Sequence, residues 1–272
     1  MENTFTSEFD RGILSKPLFL ESPVTQDFVS WIKPYINGEK SLTDLNYPYH
    51  CFTEAVNNYY WGKSVKEDFD RTYNRFAKYR DDFKSQNESI IRKNCNDVLN
   101  WGGVAAKNQD KIAVRDSLYE FIQAVLNLVN HDKIIIDDLN PNYINSGFTK
   151  IYAASDENYI MYDGRVGSAL CYLIKNYLDK KGISLLPTEL SFGYGIGRGN
   201  HQRNPSTSTD SFKFPEITQN RIMHFISNIK ANWLAEAIAG TGDLFGQKIK
   251  AKNIFAFQTA LFTLGEEIPK SK

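Results

Sequence analysis

Two residues in the middle of the chain have side chains that could do covalent chemistry together. Ser146-Gly147-Phe148-Thr149-Lys150 reads as a short, glycine-containing turn that runs into a helix beginning with Thr149 and Lys150. Thirteen residues past the lysine, Asp163 stands ahead of Gly164-Arg165-Val166 at the start of another helix. A helix start offers free N–H groups and a partial positive charge, so it can dock a phosphate or hold an aspartate ionised. A lysine and a carboxylate facing one cleft could open an N-glycosidic bond. The amine would be the nucleophile, and the carboxylate would stabilise positive charge developing on the sugar. Each residue also has a plain reading. Aspartate is a favoured N-cap, a lysine near a helix start is often solvated, and Arg165 alone would serve as a salt-bridge partner.

The elements that must position this pair are predicted to be helical. A short helix is expected near 25–35 in an otherwise irregular, proline-broken segment of about 1–60. Val65, Phe69, Tyr73, Phe76, Tyr79 and Phe83 recur every three or four residues and predict a helix from about 65. A second is expected over 88–100, stopping at Trp101-Gly102-Gly103. A third spans 112–130 with Val114 among its inward residues, and a fourth begins at Asp163. Residues 182–218 break the rhythm with alternate glycines and few apolar anchors, and read as one long loop. Helices resume over about 219–239 and 253–264. The fold class is all-α, as a single unit over 1–272. It comprises the N-terminal segment, a helical lobe over about 61–180, and a basic loop with C-terminal helices over about 181–272.

The run Thr149-Lys150-Ile151 with Tyr162-Asp163-Gly164-Arg165-Val166 resembles a bacterial protein family with the 8-oxoguanine DNA glycosylase fold, a branch of the helix-hairpin-helix glycosylases. The resemblance continues, in order, through Trp101-Gly102-Gly103, Gly197-Arg198-Gly199, Arg203-Asn204-Pro205-Ser206, Phe214-Pro215 and Lys230-Ala231-Asn232-Trp233-Leu234, covering about residues 90–264. It implies two helical lobes around a DNA- and base-binding cleft, with Gly147 in the hairpin turn, Lys150 as catalytic lysine and Asp163 as catalytic aspartate. The sequence departs from the family in the hairpin, where Asn145-Ser146-Gly147-Phe148 keeps a single glycine. The Lys-to-Asp spacing of 13 also makes the second helix about a turn and a half shorter.

Under this resemblance the partner is double-stranded DNA carrying a damaged or modified base, either an 8-oxoguanine-like lesion or a hypermodified phage base. Gly147, Thr149 and Arg165 would meet the backbone. In the loop, Arg198, His201 and Arg203 supply charge, and Asn204 and Ser206 supply hydrogen bonds. A base must leave the stack to react, and aromatic faces would then hold it. Trp101, beside two glycines, and Tyr152, just after the lysine, are the candidates for that pocket.

Composition bounds these readings. The 32 basic and 32 acidic residues cancel, but unevenly. Residues 191–252 hold Arg198, Arg203, Lys213, Arg221, Lys230, Lys248, Lys250 and Lys252 against Asp210, Glu216, Glu236 and Asp243, a local excess of four positive charges. A DNA-binding face on a mildly acidic scaffold fits that distribution. No apolar run is long enough for a membrane span, and Met1–Gly12 has no signal-peptide pattern. Three cysteines and four scattered histidines suit a cytoplasmic protein without disulfides, zinc or other metal, and no cofactor is expected. The protein is expected to act as a monomer. Two other functional classes fit the same sequence: a catalytically inactive DNA-binding module working with a partner nuclease, and an all-α protein-interaction domain.

Overall fold

The computed structural model describes residues 4–62, 67–197, 201–207, 209, 212–239 and 250–269. It is mostly helical. Twelve α-helices are described: α1 (Thr4–Asp10), α2 (Lys16–Glu21), α3 (Pro23–Ile36), α4 (Phe52–Asn57), α5 (Phe69–Lys84), α6 (Glu88–Trp101), α7 (Gln109–Ala113), α8 (Leu118–Val129), α9 (Phe148–Ser155), α10 (Gly164–Lys181), α11 (Arg221–Ala239) and α12 (Lys250–Leu264). One small antiparallel pair, β1 (Ile13–Ser15) and β2 (Lys133–Ile135), joins the N-terminal segment to the chain after α8.

Two expectations about helices are corrected. The first 60 residues are largely helical, because two of their prolines start helices and a third, Pro34, is accommodated in the last turn of α3. Pro17 and Pro23 occupy the first turns of α2 and α3, where a missing N–H costs nothing. The expected helix over 112–130 is instead α7 and α8, separated by Val114–Ser117. The Glu88 carboxylate at the start of α6 draws the chain in here, accepting from Ser117 Oγ (2.7 Å), Leu118 N (3.0 Å) and Tyr119 N (2.9 Å). Ser117 then caps α8, and Val114, expected inside, is 79% exposed.

The helices pack in two groups. Helices α5, α6, α8 and α9 lie against one another, and α2, α3, α4, α10, α11 and α12 form the other set, with α12 also touching α5. The N-terminal helices therefore complete the C-terminal set, and α10 packs on α12 and α3. The chain passes between the two sets at residues 156–163, not near 180 as the sequence boundaries suggested. That crossing is what brings Lys150 and Asp163 face to face.

The long loop is also better anchored than its composition implied. Leu190, Phe192, Phe214 and Ile217 are buried, and Tyr194 pairs with Glu216 as an isolated bridge. Its glycines permit close approach: a Cβ on Gly195 would lie 2.3 Å from Gly164 Cα. The loop thus rests directly on the first turn of α10.

Candidate active site

Helix α9 begins without an α-helix before it. Residues 130–147 carry β2 and short 3-10 turns, and Asn145 Oδ1 receives the N–H groups of Gly147 (2.8 Å) and Phe148 (3.1 Å). Three residues into this start, the Lys150 ammonium donates to Asp163 Oδ2 at 2.8 Å and to the Ser146 carbonyl at 3.1 Å. The pair is buried, with side chains 4% and 10% exposed. Asp163 is also the N-cap of α10, its Oδ1 accepting from Arg165 N (3.0 Å) and Val166 N (3.2 Å). Capping and pairing thus use different oxygens of one carboxylate. Burial pushes this carboxyl up, but the Lys150 charge and hydrogen bond, with the Val166 N–H, outweigh it and hold it below the ordinary 3.8.

Gly102 makes room for the lysine. A Cβ there would lie 2.6 Å from Lys150 Cδ, so the turn that ends α6 has to be glycine for the stem to pass. Gly147 serves Asn108 in the same way, since a Cβ at that position would lie 2.4 Å from Asn108 Nδ2. Thr149 is fully buried and hydrogen-bonds the Ser146 carbonyl, so it faces the interior and not a DNA backbone.

The segment leading to Asp163 is held from the other helix group. Ile160 N donates to Asn232 Oδ1 (2.8 Å), Met161 N to Gln258 Oε1 (2.6 Å), and His224 Nε2 lies 3.0 Å from the Tyr162 carbonyl. His224 is fully buried, and its desolvation lowers its pKa to about 4; the bond to Tyr162 and the nearby Asp163 charge oppose that shift without reversing it. The sequence reading missed these residues. The signal was a polar stripe of His224, Asn228 and Asn232, spaced by four along a helix.

Met161 and Val166, which flank Asp163 in sequence, line a small cavity with Tyr59, Trp101, Gln258 and Phe262; the Lys150 and Asp163 side chains themselves do not line it. Its free space is about 20 Å³, room for one water, so a nucleobase fits only after a wall moves. The Trp101 indole N–H is buried there with no partner among the described residues. Arg165 stands on Phe262, one of the cavity's walls. Its guanidinium stacks on Phe262 (4.4 Å to the ring centre) and Trp61 (5.3 Å), and pairs with Glu266 at 3.0 Å. These contacts occupy Arg165, so it is not a free phosphate ligand. Tyr152, the other aromatic candidate, is corrected outright. It is fully buried among Phe121, Phe148 and Tyr159, with its hydroxyl on the Tyr143 carbonyl at 2.5 Å.

The loop residues divide. His201 is exposed. Arg203 Nε donates to the Glu266 carbonyl (3.1 Å), which draws the loop and the Arg165 stack together. Asn204 Oδ1 accepts from Ser206 N, and Ser206 Oγ accepts from Phe214 N, so both shape the loop. Arg198 lies outside the described residues. One charge counted in the local excess is not at the surface. Lys230 is buried, and its ammonium donates to the carbonyls of Thr188 (2.9 Å), Glu189 (3.1 Å) and Ser191 (2.8 Å). Burial lowers its pKa to about 7. An exposed basic cluster adds Lys107 and Lys111, which the sequence reading passed over, to Arg221, with Lys111 feeling the charges of the other two.

No protein-family model, no curated protein and no solved structure matches this chain.

Proposed function

We propose that this chain is a DNA glycosylase that removes a damaged or modified base, in the manner of the helix-hairpin-helix glycosylases its sequence resembles. One observation carries the reading: the buried Lys150–Asp163 ion pair, drawn from two helix starts, with Met161 and Val166 on either side of Asp163 lining an aromatic cavity. Ion pairs buried this deeply cost desolvation and are weak devices for stability alone. A paired amine and carboxylate are also the groups that N-glycosidic cleavage uses.

In the proposed reaction the flipped nucleotide enters as the cavity opens, and Asp163 stabilises positive charge on the sugar. Lys150 Nζ gives its proton toward the departing base and attacks C1′, while the base leaves with the electron pair of the broken bond. The nitrogen lone pair then expels O4′, which takes a proton from that nitrogen, opening the sugar to a Schiff base; loss of a C2′ proton lets the 3′ phosphate leave with the electron pair of its C–O bond, cutting the strand. Lys107, Lys111, Arg221 and His201 meet backbone phosphates, and the protein acts as a monomer on double-stranded DNA without a cofactor. The substrate class is an 8-oxoguanine-like lesion or a bulky phage base.

The test is base release from duplexes carrying 8-oxoguanine and from hypermodified phage DNA, with borohydride present in a parallel set. Release from one substrate, with a covalent adduct that disappears in Lys150→Ala, is the expected result. Release without an adduct removes the lysine from the covalent role and leaves Asp163 to activate water. A second reading, a DNA-binding module without catalysis, is favoured by the cavity's 20 Å³. It requires salt-dependent DNA binding with no base release from any substrate.

A further inference from the structure

Residues 159–162 cross between the helix groups as irregular, buried chain, with no strand paired to them among the described residues. Buried backbone N–H and C=O groups need partners, and here side chains supply them. On α11, His224, Asn228 and Asn232 stand four residues apart on one stripe, each 5% exposed or less. Asn232 Oδ1 accepts from Ile160 N at 2.8 Å, and Asn228 Nδ2 donates to Ile160 O at 3.4 Å while its Oδ1 accepts from the Tyr159 hydroxyl. His224 Nε2 is 3.0 Å from Tyr162 O. A carbonyl can only accept, so that nitrogen carries the proton. The carbonyl it holds belongs to the peptide whose N–H is that of Asp163.

We infer that His224, Asn228 and Asn232 form a positioning ladder that sets where the Asp163 carboxylate stands relative to Lys150. The inference rests on the reading of Asp163 as catalytic. The lysine needs no such help, since Ser146 O and the Gly102 turn already hold it on α9. The carboxylate arrives on a different helix after an irregular crossing, and the ladder holds Ile160 and Tyr162 of that crossing while Gln258 on α12 holds Met161 between them. Asn232 also orders the ladder itself, its Nδ2 donating to Asn228 O at 2.8 Å. None of the three touches substrate in this arrangement; they act through the backbone.

The experiment uses His224→Leu, which fills the space but cannot donate, His224→Gln, which restores a donor, and Ile226→Ala, which weakens α11 without touching the ladder. Two readouts are taken on the full chain: single-turnover base release with DNA affinity, and the carboxyl titration of Asp163 by NMR. His224→Leu is expected to slow release about 10²-fold at little changed affinity, as a misplacement near 1 Å would. It should also move the Asp163 midpoint up toward the ordinary aspartate value. His224→Gln should recover most of both, and Ile226→Ala should leave the midpoint in place. An unchanged midpoint in folded His224→Leu overturns the ladder, as does an equal loss of rate and midpoint in Ile226→Ala. If the wild type releases no base, the glycosylase reading fails and the titration alone decides the ladder. If His224→Leu does not fold, Asn232→Leu replaces it under the same criteria.

Discussion

The junction of α9 and α10 and the loop over 191–206 were both marked by their sequence, and the structure treats them in opposite ways. At the junction every polar atom of the Asp163 side chain is committed, to Lys150 on one oxygen and to two helix N–H groups on the other. In the loop, the residues expected to reach DNA mostly hold the loop itself. Asn204 and Ser206 bond to neighbours and Arg203 reaches Glu266, while His201 and Asn204 are the exposed ones among the described candidates. The contrast is between a buried pair whose oxygens are all committed and a loop that is held mostly by its own bonds. Burial makes a charge expensive unless its partner is placed, so the junction is where substitution should do most damage.

The largest effect is expected for Lys150→Ala. Removing one member of a buried pair leaves an uncompensated carboxylate and should cost about 3–5 kcal/mol of stability, read by urea unfolding. Base release should be lost with it. Arg203→Ala, by contrast, should unfold within about 0.5 kcal/mol of wild type. Equal losses in the two would erase the distinction.

The next effect concerns pH. His224 is neutral in the fold because burial lowers its pKa to about 4 from an ordinary 6.5, so the unfolded chain takes up its proton first. The stability its neutral form contributes is complete above about pH 6.5 and is lost as pH falls through 4, a change of about 3 kcal/mol. Chemical denaturation from pH 7 to 4 measures it, and His224→Gln should flatten that part of the curve. Asp163 acts lower, since its stabilisation is lost only as pH falls through its own depressed value.

Gly102→Ala should follow. The added methyl carbon would stand 2.6 Å from Lys150 Cδ and must displace the stem, so excision should fall about 10- to 100-fold with DNA affinity retained. The smallest effects belong to the surface. Lys111→Ala and Arg221→Ala should each weaken DNA binding several-fold and lower the salt slope by about 1, while His201→Ala does the same on the loop side. A loop variant that cut excision more than Gly102→Ala would reverse the comparison.

Much of this was legible in the sequence because it was periodic. The inward stripes of α5, α6, α8, α10 and α11 follow from apolar spacing, and Asp163 announces itself as a cap by standing before Gly-Arg-Val. What was hidden depended on partners distant along the chain. Glu88 sets where α8 starts, 30 residues further on. Phe192 and Phe214 bury a loop whose glycines and serines read as open. Tyr152 looked available because Lys150 is near it in sequence, yet two positions along a helix turn a side chain to the opposite side. Lys230 counted as a surface charge until three carbonyls claimed it. Gln258 and His224, which hold the approach to Asp163, carry no local signal beyond being polar on inward faces.

The most direct test compares wild-type protein with Asp163→Asn on DNA that carries modified bases, measuring base release and DNA affinity in the same preparations. Asparagine keeps an oxygen for the cap and removes the charge. If Asp163 is the group that carries the chemistry, the wild type releases base, the variant loses about 10³-fold, and affinity stays within about threefold. Equal release from both proteins, or tight binding by both with release from neither, would contradict it.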